Sequence, residues 1–346
     1  MPWGVGVIGA GPGVAALHLP TLGRLRDEFT VVHVADHGSG RAEELARRLG
    51  AASSTGTSAL LADPDVQVLA ICSPPGEHAR QIREGIAAGV RAILCEKPLA
   101  TTMEDAREVV DACREAGVIL LVATNHFYDE AWDRAKHHLV ALQSDVHTIS
   151  ATVALPPNGR YHAAVTELAS AGAPARGAPD LADPVVAAQV VRQLVLGLAV
   201  HDLPAVRDLA PDFAGVDFAA PVAPIGYTVG FRAGGVRVLL TAVRLPDGPD
   251  PVWRLTIGTS TDRVDVEFPP SFVHAGSATV RVRTGDPRTT TYRRENEDGY
   301  VREWRALAAL LDGTATMEYH EVLDDAIFAI ELADAAAAAI LAGAPS

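Results

Sequence analysis

The chain has 346 residues, of which 48% are hydrophobic and 21% charged, and its 43 acidic and 29 basic residues give a formal net charge of -14. This length suits two globular domains rather than one, and the composition excludes a largely disordered chain. The acidic balance, with arginines scattered singly, argues against nucleic acid or an anionic membrane as a partner and favours small molecules.

Three features bear on where the protein works. The N-terminal stretch "MPWGVGVIGAG" contains no basic leader, apolar segment or cleavage site, so export is not expected. No apolar run approaches the roughly 18 residues needed to cross a bilayer, and the tail "ELADAAAAAILAGA" is typical of a packing helix. Cys72, Cys95 and Cys113 lack CxxC spacing and are expected to be reduced thiols. We predict a cytoplasmic protein.

From residue 4 to about residue 124, short apolar runs alternate with longer amphipathic ones, a pattern that predicts a doubly wound α/β unit with a parallel sheet. The predicted strands are "GVGVIGA", "TVVHVAD", "VQVLAICS", "AILCEK" and "VILLVATN", and the predicted helices include "SGRAEELARRLG" and "TTMEDAREVVDACREAG". In such a unit the ligand is expected at the carboxyl ends of the strands.

A glycine loop, "GAGPGVAALHLP", opens at the end of the first predicted strand. Gly9 and Gly11 allow a tight turn and the close approach of backbone N–H groups to a pyrophosphate at a helix N-terminus. A strict GxGxxG pattern has its third glycine at position 14, where this chain has Val14, and Gly13 lies one position earlier. Two interpretations stay open: the loop holds an extra residue and Ala15 makes the close helix contact, or the third glycine is displaced.

The second predicted strand ends at Asp36, 23 residues after Gly13, close to the roughly 20 expected of an acid that binds the adenosine ribose hydroxyls. A carboxylate there repels the 2′-phosphate of NADP, so NAD is favoured. Arg41 could instead accept that phosphate, but its position is more typical of a helix start. A turn or helix-capping role is the alternative for Asp36.

The stretch "CSPPGEHARQI" follows a further predicted strand. Two prolines at a strand end cannot continue the ladder, so the chain after Ser73 and Pro74 turns sharply over the crevice. His78 begins a helix at this place. Two roles for His78 stay open, a solvated residue at a helix start and a member of the cofactor pocket.

Lys97, in "ILCEKPLA", is one of only two lysines, the other being Lys136, whereas the remaining 27 basic residues are arginines. An arginine keeps its charge permanently, but the pKa of a lysine falls when the ammonium is desolvated or lies beside another cation. A lysine at the end of a predicted strand, between a glutamate and a proline, therefore suggests a catalytic role.

The pattern of apolar and polar residues changes after Asn125. A predicted helix "DEAWDRAKHHLVAL" and strand "HTISATVAL" lead to a connection rich in Pro, Gly and Ala from Pro156 to about Pro184, and then to a helical segment "PVVAAQVVRQLVLGLAVHDLPAVRDL". Residues 225–294 alternate as β-strands, and two helices close the chain. Strands without intervening helices predict an antiparallel sheet, with one face on helices and the other available to a partner subunit.

The glycine loop, Asp36, "SPPGEH", "AAGVRAILCEKPLATTMEDAREVV" and "LLVATNHFYDEAWDRAKHHL" occur in this order, and on these motifs the chain resembles the Gfo/Idh/MocA family of oxidoreductases. The resemblance implies an N-terminal Rossmann domain over residues 1–124 and an α+β domain over residues 125–346 with an open-faced, mainly antiparallel sheet. It also implies NAD, with NADP less expected, and a homodimer or homotetramer built through the second sheet.

The functional residues of the family carry over position by position. Glu96, Lys97 and Pro98 match its EKP motif, whose lysine reaches the nicotinamide and the substrate hydroxyl, with a Lys-Pro bond that is often cis. Asn125 matches the asparagine that opens the second domain, although Phe127 and Glu130 depart from the pattern that follows. The expected cofactor-binding residues are Gly9, Gly11, Pro12, Gly13, Val14, Asp36, Ser73, Pro74, His78, Glu96, Lys97 and Asn125, and the expected substrate-binding residues are Lys97, Asn125, Tyr128 and His201.

The third element of the family is Asp-x-x-x-His, whose two members lie one helical turn apart. His201 matches the histidine, but Gly197 occupies the aspartate position. Asp202, Gln193 or the substrate itself could replace the missing carboxylate. A buried, hydrogen-bonded core residue is the alternative role for His201.

These motifs predict an NAD(P)-dependent oxidoreductase that transfers hydride between the nicotinamide and a hydroxyl or keto carbon of a sugar, inositol or related polyol. Lys97 and His201 are the expected catalytic residues, with His201 as proton acceptor or donor. A cofactor-binding sensor that has lost its chemistry is the alternative that Gly197 favours, and a redox glycosidase is a third. No metal is expected, because His137 and His138 point to different sides of their helix and no Cys/His cluster has ligand spacing.

Overall fold

A computed structural model of the chain describes residues 1–157, 159, 179–246, 250–270, 274–285 and 288–343. The described chain divides into two compact units. The first contains Met1–Ala123 and Tyr300–Ile327, and the second contains the other described residues. The predicted connection between Pro156 and Pro184 falls mostly on residues 158 and 160–178, outside the described residues.

The first unit is built on a six-stranded parallel sheet with the order β3-β2-β1-β4-β5-β6. Its strands are β1 Trp3–Ile8, β2 Phe29–Asp36, β3 Ala52–Thr55, β4 Val68–Ile71, β5 Ala92–Cys95 and β6 Ile119–Val122, and its first five helices are α1 Leu19–Arg24, α2 Arg41–Leu49, α3 Ser58–Leu61, α4 His78–Ala88 and α5 Met103–Ala116. This strand order is that of the doubly wound Rossmann fold, so the predicted fold class is confirmed here.

The two strands β4 and β5 of this sheet are buried along their whole lengths, as expected for parallel strands covered on both faces. β3 was not predicted, because its sequence "ASST" is polar and mostly exposed at the sheet edge.

Two C-terminal helices, α10 Gly299–Leu311 and α11 Tyr319–Leu341, close the chain. The Trp304 ring of α10 packs against Phe29 at a centroid distance of 5.0 Å, and the Tyr319 hydroxyl donates a hydrogen bond to the Val118 carbonyl oxygen over 2.9 Å. These contacts explain why Tyr300–Ile327 cluster with the first unit. The predicted assignment of the whole range 125–346 to one domain therefore differs from the structure.

The second unit is built on an eight-stranded sheet with the order β14-β13-β12-β11-β7-β10-β9-β8. Every neighbouring pair is antiparallel except β7 with β10, which is parallel, so the mainly antiparallel sheet is confirmed. Its elements are α6 Asn125–Tyr128, α7 Glu130–Leu142, β7 Val146–Leu155, α8 Pro184–Gly197, α9 Leu203–Leu209, β8 Phe213–Pro221, β9 Gly226–Ala233, β10 Val236–Arg244, β11 Val252–Thr259, β12 Arg263–Glu267, β13 Thr279–Arg283 and β14 Thr289–Tyr292.

The helical segment predicted over residues 184–209 is divided into three pieces. α8 ends at Gly197, a single 3₁₀ turn covers Ala199–His201, and α9 begins at Leu203. Pro204 in the first turn of α9 has no N–H to continue the hydrogen bonding of a preceding helix. The break turns the chain so that His201 and Asp202 lie between two helices rather than on the surface of one.

Pro184–His201 also has the length and composition of a membrane span, with a mean hydropathy of 1.4 over 18 residues. No such run was expected from the sequence, and that expectation is wrong for this stretch. Core helices pass the same test, and 44% of the stretch is buried inside the protein, so it is weak support for a membrane segment.

One face of the second sheet, here called the outer face, presents one row of residues in register across all eight strands. In sheet order from β8 to β14 the row is Phe218, Gly230, Leu239, Ser150, Thr256, Asp265, Arg281 and Thr291. The Phe218 ring covers Gly230 so closely that a Cβ built there would lie 2.3 Å from Cε1 of the ring. The row therefore runs from an apolar end to a polar end.

Candidate active site

The glycine loop follows β1 in the first unit. Gly9 has φ +110°, and a Cβ built on it would lie 2.5 Å from the Cys72 carbonyl oxygen, so only glycine is accommodated without strain. A Cβ on Gly11 or Gly13 would meet no described atom within 4 Å. These two glycines therefore border open space at the start of a helix, which is the cradle that a pyrophosphate requires.

A π-helical turn, Val14–His18, follows the loop and leads into α1. A π-helix places more residues in each turn than an α-helix does, so this turn accommodates the extra residue proposed in one of the two interpretations. Val14 and Ala16 are buried and Ala15 is half-buried, so the close helix contact proposed for Ala15 stays a prediction.

Asp36 ends β2, and its carboxylate is held by the loop that follows. It accepts hydrogen bonds from the backbone N–H of Gly38 over 2.8 Å and of Ser39 over 3.3 Å, and from the Ser39 hydroxyl. Burial opposes ionisation, but the bonds from Ser39, Gly38 and Ala42 outweigh it and lower the pKa of Asp36. Asp36 thus shapes its turn and remains a carboxylate, and Arg41 begins α2.

Ser73 and Pro74 follow β4 and lead into α4, where His78 is fully buried. Nδ1 of His78 lies 2.9 Å from the Pro98 carbonyl oxygen, and Nε2 lies 2.9 Å from the Ser73 carbonyl oxygen. The solvated role considered for His78 is therefore wrong. The imidazole instead links the loop after β4 to the loop after β5.

Glu96, Lys97 and Pro98 follow β5, and the Lys97-Pro98 peptide bond is cis. One carboxylate oxygen of Glu96 accepts the Lys97 backbone N–H over 3.1 Å, and the other lies 2.9 Å from Nε2 of His18. Burial lowers the pKa of Lys97, and the charge of Glu96 opposes that shift. Lys97 therefore gives up its proton more readily than an exposed lysine.

Asn125 and His201 meet in the second unit. Both are buried, and Nδ1 of His201 lies 2.7 Å from the Asn125 side-chain oxygen. Because that amide oxygen only accepts, Nδ1 of the imidazole carries the proton, and Nε2 of the neutral ring carries the lone pair. This tautomer is the one that a proton acceptor at Nε2 requires.

Asp202 does not bind His201 directly. Its carboxylate accepts a hydrogen bond from Nδ1 of His126 over 2.9 Å and another from the Trp253 indole N–H over 2.8 Å. The His126 ring stacks on Phe268 at a centroid distance of 3.7 Å and lies 5.4 Å from the His201 ring. A second imidazole with its own carboxylate therefore lies beside His201.

Sequence reasoning missed His126 because its partner is 76 residues away. The adjacent pairs Asn125-His126 and His201-Asp202 were the available signal, since each residue of one pair bonds to a residue of the other. Tyr128 is half-buried and contacts the Phe127 ring edge-on at 5.8 Å. Gly197 ends α8, and a Cβ there would meet no described atom within 4 Å.

Among the described residues, one group of side chains is spaced closely enough to hold a metal ion. It consists of Glu318, His320 and Glu321, whose candidate ligand atoms lie within 4.8 Å of one another. All three are exposed near the start of α11. Exposed acidic groups of this kind are common without a metal, so the cluster carries no assignment.

Known proteins resemble the chain in both sequence and fold. The family model described as "Oxidoreductase family, NAD-binding Rossmann fold" matches residues 3–124. A 1,5-anhydro-D-fructose reductase from Ensifer adhaerens is 49% identical over 74 residues, which are 21% of each chain. An inositol 2-dehydrogenase from Gluconacetobacter diazotrophicus is 29% identical over 174 residues, which are 48% of this chain and 51% of that one.

A solved structure of a 3-ketoreductase from Actinomadura kijaniata in complex with NADP covers 98% of both chains with a TM-score of 0.73 at 20% identity. This likeness shows the fold. The curated relatives are matched over about a fifth to a half of their own length.

Fold and glycine loop together define the first unit as a dinucleotide-binding Rossmann domain. Through that domain the chain is similar to the Gfo/Idh/MocA oxidoreductases, whose family model matches residues 3–124.

Proposed function

We propose that the protein is an NAD(P)-dependent oxidoreductase acting on a CH–OH group, or on the matching carbonyl, of a sugar, inositol or related polyol. The observation that carries this proposal is Lys97, a half-buried lysine with a lowered pKa beside Glu96 at the carboxyl end of a Rossmann strand. The names of the two curated relatives, a reductase of an anhydro-sugar and a dehydrogenase of inositol, support this substrate class.

The residues of the first unit fit a dinucleotide. Gly11 and Gly13 border the space in which backbone N–H groups would hold the pyrophosphate. The Asp36 carboxylate would accept hydrogen bonds from the ribose hydroxyls. We propose NAD rather than NADP because the Asp36 carboxylate would repel a 2′-phosphate, although a relative of the same fold binds NADP. When bound, the nicotinamide supplies the acceptor or donor of hydride.

The other chemical roles belong to side chains of this chain. In the direction of oxidation, Nε2 of His201 takes the hydroxyl proton, and Asn125 holds the ring in the tautomer that permits this. Lys97 polarises the reacting oxygen, and burial, which lowers its pKa against the opposing charge of Glu96, lets it pass on a proton more readily than an exposed lysine. In reduction the same groups donate instead.

Gly197 occupies the position at which the family has an aspartate, and Asp202 is the candidate for the replacement carboxylate. We propose that Asp202, held by His126 and Trp253, supplies the buried negative charge that the family usually places four residues before the histidine. A carboxylate near His201 favours the positive ring that forms when the proton is taken. The family arrangement and the arrangement in this chain differ, because the charge of Asp202 acts on His201 across the His126 ring.

The proposed activity is tested by releasing any cofactor from the purified protein for mass identification and by following absorbance at 340 nm with a panel of sugars, inositols and keto-sugars. We expect steady NADH change with at least one compound, and loss of that turnover in Lys97→Ala with dinucleotide affinity nearly intact. Lys136→Ala is the matched control, because Lys136 pairs with Asp208 in the second unit. Full activity of Lys97→Ala would refute the mechanism, and tight cofactor binding without turnover would indicate a sensor.

We further propose that the protein works in the cytoplasm as a homodimer or homotetramer formed through the outer face. Phe218 and Leu239 are exposed at 39% and 42% of their surfaces and lie on the two strands that flank Gly230 in this row of the outer face. Apolar side chains in a row on an uncovered sheet face favour pairing with a second copy.

A further inference from the structure

A chain of three hydrogen-bonded side chains leads to Lys97 inside the first unit. The Trp304 indole N–H donates to Nδ1 of His18 over 3.4 Å, and Nε2 of His18 lies 2.9 Å from Oε1 of Glu96. The other oxygen of Glu96 accepts the Lys97 backbone N–H over 3.1 Å. His18 is thus one residue removed from the lysine on which the proposed function depends.

His18 and Trp304 are buried, with exposures of 2% and 0%. A buried carboxylate or imidazole costs free energy unless its partners satisfy it, and apolar side chains would fill the same space without that cost. Burial alone would raise the pKa of Glu96, but the hydrogen bond from His18 and the charges of His18 and Lys97 outweigh it and lower that pKa. Glu96 is therefore ionised while it lies beside Lys97.

We propose that His18 is a positioning residue for Lys97: by its hydrogen bond to Glu96 it sets how strongly the Glu96 carboxylate acts on the Lys97 ammonium. The catalytic meaning of this inference rests on the proposed function, but the interaction itself does not. Nε2–H donates to Glu96 in the neutral ring fixed by Trp304 and also in the protonated ring. The direction of the effect is therefore the same in both states.

The direction follows from electrostatics. The N–H of His18 draws part of the negative charge of Glu96 toward itself. Without that donor, more of the charge acts on Lys97, and Lys97 holds its proton more tightly. The other titratable groups in this cluster are Cys72 and Cys95, and burial raises the pKa of the Cys95 thiol. His18 thus keeps Lys97 able to lose a proton at a lower pH than Glu96 alone would allow.

The small number of lysines permits a direct test. Protein labelled with ¹³C only in lysine has two lysine side-chain signals, from Lys97 and Lys136, and a pH titration of the Cε shifts gives the ionisation midpoint of each without substrate or cofactor. Lys136, which is paired with Asp208 in the second unit, serves as the internal reference.

We expect His18→Ala to raise the Lys97 midpoint by about half a pH unit or more, and Glu96→Gln to lower it by about one unit or more. His18→Gln retains an N–H donor and should return the midpoint toward the wild-type value. His33→Ala is the matched control, because His33 is also a buried histidine of the first unit bonded to a carboxylate, Asp63, over 2.9 Å.

An unchanged Lys97 midpoint in folded His18→Ala protein would overturn the proposal, and so would an equal shift in His33→Ala. If His18→Ala does not fold, His18→Phe decides, because it keeps a ring in the same space but removes the N–H that Nε2 donates to Glu96. That variant should also move the midpoint upward, and no movement again overturns the inference. Because the titration needs no substrate, failure of the turnover assay would reject the proposed activity without affecting this result.

Discussion

The most informative residue of the second unit is Asp202, a carboxylate with an exposure of 1% and two donors, one on each oxygen. An amide at this position would offer one acceptor oxygen and one N–H₂ group, so either His126 or Trp253 would face a donor. Leaving one buried donor unsatisfied costs about 1 to 3 kcal/mol.

We therefore predict that Asp202→Asn lowers the free energy of unfolding by about 1 to 3 kcal/mol, measured by urea denaturation. Trp253→Phe removes one donor, so the double variant should lose less than the sum of the two single variants. Asp217→Asn, at an exposed pair with Arg232 on the outer face, is the control and should change stability little. Strictly additive losses would contradict the assigned contacts.

Asp129 is a second buried carboxylate, at the start of α7. Burial raises its pKa to about 6, although the N–H groups of Ala131 and Ala278 and the charge of His126 act in the opposite direction. In this pH range the folded protein binds the proton more tightly than the unfolded chain does. The contribution of Asp129 to stability is therefore present at low pH and is lost as the pH rises from 3.8 to about 6.

We predict that the stability difference between wild type and Asp129→Asn changes by up to about 3 kcal/mol across this window, in the sense that the wild type loses relative stability as the pH rises. Denaturant unfolding at pH 4, 5, 6 and 7 measures it. The amide introduced by the substitution does not titrate, so a pH-independent difference between the two proteins would show that the pKa of Asp129 is not shifted.

At this scale the sequence indicated Lys97, Glu96, Asn125 and His201 through motifs that are local in the chain. It could not indicate His18, His126 or Trp253, because their functions depend on partners 78, 76 and 51 residues away. Nothing in the local pattern distinguishes such a side chain from any other buried polar residue.

At the scale of elements, the loop between β1 and α1 contains two kinds of glycine. Gly9 is required by the fold, because its φ is positive and a Cβ would contact the Cys72 carbonyl oxygen. Gly11 and Gly13 have open space where their Cβ atoms would lie, so the folded protein alone does not require them. A ligand that approaches the backbone of Gly11 and Gly13 closely would require glycine at both positions.

We predict that Gly9→Ala destabilises the protein by about 2 to 4 kcal/mol, whereas Gly11→Ala and Gly13→Ala leave the melting temperature unchanged and weaken dinucleotide binding by about tenfold or more. Calorimetric melting and binding titration measure the two effects. Gly23→Ala, in α1 where a Cβ meets no described atom within 4 Å, is the control and should be neutral or stabilising. Unchanged dinucleotide affinity in both loop variants would place the cofactor elsewhere.

The elements that the sequence did not predict are those without a periodic signal. β3 is polar, β8 carries two register shifts, and the π-turn differs from an α-helix by a residue that no composition reveals. The buried strands β1, β2, β4, β5 and β6 were predicted because continuous apolar runs mark them.

At the scale of the whole molecule, the fold class was predictable because motif order constrains topology strongly. The assignment of the C-terminal helices to the two units was not predictable. Trp304 and Tyr319 make their contacts with Phe29 and Val118 only after folding. No feature of residues 300–327 shows which of the two units they join.

Assembly belongs to this scale. We predict that Leu239→Glu reduces the oligomer to a smaller species in light scattering after size-exclusion chromatography, because the variant puts a charge in the apolar part of the outer row. Val185→Glu is the control, since Val185 is 53% exposed on α8 rather than on the sheet. An unchanged mass for Leu239→Glu, or a monomeric wild type, would exclude the outer face as the interface.

The Phe218 ring over Gly230 makes two positions on neighbouring strands dependent on each other. Any side chain at position 230 would occupy the space of the ring, and a small side chain at position 218 would expose the bare glycine backbone of β9. Related chains should therefore change the two positions together, with a large residue at one and glycine at the other. An alignment of close relatives would show this as a correlated pair, and the spread of that pair among the relatives would show how widely this packing of the outer face is shared.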